Sequence, residues 1–73
     1  MATRMKKRFV VCLSNRGYAA SLEKGKLYLA LPDRAAEVRG LIRVIDESGE
    51  DYLYPKRRFA DIELPREIER ALR

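Results

Sequence analysis

Leu41-Ile42-Arg43-Val44-Ile45-Asp46-Glu47-Ser48-Gly49-Glu50-Asp51-Tyr52-Leu53-Tyr54-Pro55 is the stretch that decides the fold. Two apolar runs rich in β-branched and aromatic residues flank a short polar turn containing Gly49, the pattern of an antiparallel hairpin. Pro55 has no N–H to give to a ladder, so it ends the second arm. Upstream, Leu27-Tyr28-Leu29-Ala30-Leu31 alternates with period two. That predicts a strand with Leu27, Leu29 and Leu31 toward the core and with Tyr28 and Ala30 turned away. Further upstream, Phe9-Val10-Val11-Cys12-Leu13 is an unbroken apolar run, a strand with cover on both faces. Ser14-Asn15-Arg16-Gly17 and Glu23-Lys24-Gly25-Lys26 read as turns, with residues 18–22 an irregular extended loop between them.

Downstream of the hairpin, Lys56-Arg57-Arg58-Phe59 reads as a tight turn and residues 60–64 as a short last strand. Pro65 suits the first position of a helix, and Ile68 and Leu72 then stand at i and i+4 on one face of it. Between the second strand and the hairpin, Asp33 is a candidate cap for one helical turn that Gly40 ends. The expectation is a mainly all-β domain of four or five short antiparallel strands with a short C-terminal helix. It divides into a basic N-terminal arm over residues 1–8, a small barrel over 9–64 and the helix over 65–73.

Composition narrows the function. With 73 residues, the chain holds one domain and a single small core. No apolar run approaches the roughly 20 residues of a membrane span, and no secretory leader follows the basic start, so a cytoplasmic protein without a membrane partner is expected. A lone cysteine makes no internal disulfide. The absence of histidine removes the commonest general base near neutral pH and any Cys/His metal site. No Gly-rich phosphate loop is present. A non-enzymatic protein with no cofactor, no metal and no small-molecule substrate is the expectation, and Cys12, set in an apolar run, reads as a small buried hydrophobe.

The stretch from Leu22-Glu23-Lys24-Gly25-Lys26-Leu27-Tyr28 to Leu64 resembles an SH3-like barrel. The Gly25 turn matches the diverging turn of that fold, and residues 41–54 match its distal hairpin. Tyr54-Pro55-Lys56-Arg57-Arg58-Phe59 with Ile62 matches its ending, a proline, a 3₁₀ turn, an aromatic and a last strand. The chain has no tryptophan, and only Pro55 and Phe59 fall on positions of the polyproline-binding groove, so the resemblance implies the fold more than that activity. The whole chain is also similar to a group of short bacterial proteins of unassigned function, through residues 43–55 and Ile62-Glu63-Leu64-Pro65.

Two binding surfaces follow as expectations. The first is a protein-partner patch of Tyr28, Tyr54, Pro55 and Phe59, bordered by Lys56, Arg57 and Arg58. The alternative is a nucleic-acid face of Arg4, Lys6, Lys7, Arg8, Lys56, Arg57 and Arg58, with Tyr18 or Tyr28 as a stacking platform. The net charge of +5 supports the second, being concentrated toward the two ends of the chain. Asp46, Glu47, Glu50 and Asp51 read as a hairpin tip facing water. Their functional counterpart is a weak cation site or a patch for a basic partner, although the spacing is not that of an EF-hand.

Overall fold

The structure is a computed structural model that describes residues 7–72. Five strands form one antiparallel sheet: β1 (Arg8–Cys12), β2 (Leu27–Leu31), β3 (Leu41–Ile45), β4 (Asp51–Pro55) and β5 (Phe59–Ile62). Their order across the sheet is β4-β3-β2-β1-β5, so the first strand sits between the second and the last. Helix α1 (Arg34–Val38) connects β2 to β3, and α2 (Arg66–Leu72) follows β5. The Asp33 side chain caps α1 by accepting from the Ala36 N–H, as its sequence position predicts. Gly40 and Gly49, at φ of 79° and 84°, make the reversals on either side of β3 that a side chain would strain.

The sheet is open. β4 and β5 are its two edges, and the chain crosses from one to the other through Pro55 and a 3₁₀ turn over Lys56–Arg58. The expected barrel is therefore a strongly connected sheet whose ends are not joined by a ladder. The last strand is also earlier than predicted, because Phe59 pairs with Cys12 at the start of β5.

One face of the sheet carries the core: Val10, Cys12, Tyr28, Ala30, Ile42, Val44, Tyr54 and Phe59, closed over by Leu22 from the β1–β2 loop. This overturns the expected orientation of β2. Tyr28 and Ala30 are buried, whereas Leu27, Leu29 and Leu31 are only half-buried on the opposite face. Both sets are apolar, so alternation separates them but does not say which is inner. Tyr28 goes inward because its ring meets Phe59 edge-on at 6.5 Å while its hydroxyl reaches polar partners at the rim. On the second face Ile62, Phe9, Leu29 and Ile45 align in register across four strands. Phe9 is buried there, so β1 is covered on both sides as its unbroken run predicts. Leu72 of α2 borders a shallow depression on this face beside Phe9, Leu29 and Ile45, although Ile68 and Leu72 remain about half exposed.

Among the described residues, no helix is long and apolar enough to cross a membrane.

Candidate functional site

A depression of about 450 Å³ lies where three chain segments meet. The β1–β2 loop contributes Tyr18 and Ser21, the β3–β4 turn contributes Asp46 and Ser48, and the edge strand β4 contributes Tyr52, Leu53 and Tyr54. Because three consecutive residues of β4 line it, the groove runs along that strand's unpaired edge. Tyr52 is 51% and Leu53 42% exposed, high for such large side chains.

Tyr54 forms the floor. Its hydroxyl donates to Asp46 Oδ2 at 2.6 Å and lies 2.9 Å from Ser21 Oγ, and its ring meets Tyr18 edge-on at 5.0 Å. The Tyr18 ring is also covered by the Arg58 guanidinium, 5.4 Å from its centroid. Arg58 also donates to the Arg16 carbonyl. Asp46 Oδ1 accepts from the Ser48 N–H at 2.9 Å and the Ser48 hydroxyl at 2.6 Å. Burial pushes the Asp46 carboxyl up, but the bonds from Ser48 and Tyr54 outweigh that and hold it below the usual carboxylate range.

A second polar cluster fixes the loop behind the groove. The Tyr28 hydroxyl accepts from the Glu23 N–H at 2.7 Å and donates to Glu47, which also pairs with Lys26 at 2.7 Å. Burial, followed by the bond to Glu47, raises the Tyr28 phenol well above its ordinary value. Lys26 and then Tyr28 hold Glu47 below its ordinary value. Asp33 is likewise lowered, first by the Ala36 N–H and then by Arg43.

These shifts fix the sign of the pH dependence. A carboxyl whose folded value lies below its unfolded value contributes stability above about pH 4–5 and loses it as pH falls through the folded value. Thermal melts should therefore hold a level Tm between about pH 5 and 7 and decline below about pH 4. A Tm that rises on acidification through that window would contradict the arrangement. On the alkaline side, the raised Tyr28 phenol predicts a decline above about pH 10.

The residues expected to bind a protein partner are placed differently from the expectation. Tyr28, Tyr54 and Phe59 are buried in the core, and Pro55 is half-buried. They form no exposed patch, because each ring is needed to fill a core too small to do without it. Of the four, Tyr54 alone lines the groove, as its floor. The basic residues are partly spent. Arg8 grips Glu37 with both terminal nitrogens at 3.0 and 3.1 Å and bonds Asp61 through Nε, and Lys56 reaches the same Glu37 at 3.5 Å. The structure thus does bring Arg8 and Lys56 together, but around a carboxylate that offsets their charge. Lys7 and Arg57 are exposed; Arg4 and Lys6 lie outside the described residues. The acidic tip is corrected at one position: Asp46 is buried, while Glu47, Glu50 and Asp51 face water.

Tyr18 and Ser21 escaped the sequence reading as groove residues. They meet Tyr54 across more than thirty positions, and no local pattern marks a loop that folds back so far. Among the described residues, no group of three or more acidic or cysteine side chains is arranged to hold a metal ion. No known protein family, curated protein or solved structure matches the chain.

Proposed function

We propose that the chain is a non-catalytic protein–protein interaction module of SH3-like architecture, and that its contact surface is the groove along β4. The observation that carries this is the pairing of a largely apolar depression with two large side chains, Tyr52 and Leu53, left half exposed at its rim. The SH3-like reading is supported by the order β4-β3-β2-β1-β5 and by the 3₁₀ turn before the last strand. The surface differs from the one the sequence suggested: the buried rings support the groove, and their neighbours Tyr18, Tyr52 and Leu53 form it.

The test is affinity capture on the immobilised chain, comparing wild type with Tyr52→Ala and, as a control on a remote helix end, Arg39→Ala. A protein retained by wild type and the control but lost with Tyr52→Ala is the expected result. Equal retention by all three would remove the groove from consideration. Labelled single-stranded RNA serves as the competing arm: with Arg8 and Arg58 already engaged, anisotropy should stay nearly flat between about 50 and 200 mM salt. A steep salt slope would favour the nucleic-acid alternative instead.

A further inference from the structure

The open edge of β4 is self-complementary. The Asp46 N–H donates to the Glu50 carbonyl, and the Lys56 N–H donates to the Gly40 carbonyl. With the register Ile42↔Tyr54 and Val44↔Tyr52, these fix the alternation: the even-numbered residues of β4 bond to β3. The main-chain groups of Asp51 and Leu53 consequently point away from the sheet, while the Pro55 carbonyl accepts the first bond of the 3₁₀ turn. Along this edge the sequence reads Glu50-Asp51, then Tyr52-Leu53-Tyr54, then Pro55-Lys56-Arg57: acidic, apolar, basic. A strand of that polarity matches an antiparallel copy of itself.

We infer that the partner seated on β4 is a second copy of this chain, joined through a two-fold axis at Leu53. This rests on the groove being an interaction surface and names its occupant. In that register Leu53 faces Leu53 of the second copy and the two exchange both main-chain bonds. Those two bonds are the main-chain pairing across the axis, because the Pro55 carbonyl is already taken by the first bond of the 3₁₀ turn. Pro55, lacking an N–H, ends the ladder in the same place on both sides. Tyr52 comes opposite Tyr54 of the second copy, which covers the two side chains left half exposed and carries the Tyr52 ring toward the groove. Glu50 comes opposite Lys56 of the second copy, with Arg57 beside it. Arg57 is exposed and makes no ion pair among the described residues, so the contact gives it one. Nothing in the middle of the edge opposes pairing: it has no lysine, no internal proline and no bulge, the usual devices by which edge strands stay apart. The two-fold closes on itself, so two sheets of five strands merge into one of ten and no further copy is recruited.

The test is sedimentation equilibrium on the full chain up to about 0.5 mM, a range that captures a small, weak interface. The expected result is a concentration-dependent approach to twice the monomer mass. Leu53→Lys should remain monomeric with an unchanged melting curve. Arg57→Glu should weaken association by about fivefold, since the lost pair occurs twice, and Glu50→Arg, which sets a second cation against Lys56 of the second copy, should weaken it as well. Amide exchange at Leu53 should slow with concentration in the wild type alone. A monomer across the whole range overturns the second-copy assignment but leaves the groove open to a different protein. A dimer indifferent to Leu53→Lys, or an open-ended series of larger species, overturns the assignment too, and the former removes the groove as well.

Discussion

Replacement of Tyr54 by alanine is expected to leave the chain largely unfolded at 37 °C. Tyr54 joins three things that nothing else joins: the core ring cluster with Phe59, the loop residues Tyr18 and Ser21, and the buried carboxylate of Asp46. Truncating a buried aromatic ring to alanine costs about 3–5 kcal/mol, before counting the carboxylate that loses its donor. A domain of this length has only about 4–10 kcal/mol in total. Tyr54→Phe separates the two contributions. It keeps the ring and removes the hydroxyl, so it should fold with a loss of about 2 kcal/mol, or roughly 10 °C in Tm. Circular dichroism melts of the pair are decisive: equal stability for phenylalanine and tyrosine would mean that the bond to Asp46 contributes nothing.

The next largest effect is expected at Ile42. It is 1% exposed, is the second residue of β3 and pairs with Tyr54 across the hairpin. Cutting it to alanine opens a void in a core that holds only nine residues, at a cost of about 3–4 kcal/mol and a Tm lower by about 15 °C or more. Leu53→Ala, on the exposed edge only one strand position from that pair, should stay within about 0.5 kcal/mol. Chemical denaturation of both variants gives the comparison, and a Leu53 effect as large as that of Ile42 would contradict the assignment of faces.

The fold was legible where a single local signal was enough. The hairpin, the Asp33 cap, the break at Pro55 and the cover on both sides of Phe9-Val10 each depend on residues close in sequence, and each is present. The β2 face was not legible, because Leu27, Leu29 and Leu31 compete with Tyr28 and Ala30 as equally apolar sets. Of the site, Tyr54 was legible for its position rather than its exposure, Tyr18 only as a stacking platform and Asp46 only as part of a water-facing tip. A tyrosine beside Pro55 can serve as a surface or as a core, and burial depends on Tyr18 and Leu22 returning from far upstream. Charge misled for the same reason: Arg8 looks free in an acid-free segment, and its partners Glu37 and Asp61 are supplied by distant elements.

The single thiol gives the molecule a built-in stopwatch. Cys12 is 1% exposed, its N–H donates to the Lys26 carbonyl, and its strand is clamped between β2 and β5. Burial also keeps the sulfur protonated by raising its ordinary value, so a thiol reagent meets neither access nor a thiolate while the sheet is intact. Its modification rate therefore times the separation of β1 from its two neighbours. An added ligand or a second copy that steadies the sheet slows that clock, with no label introduced and no other cysteine to confuse the reading.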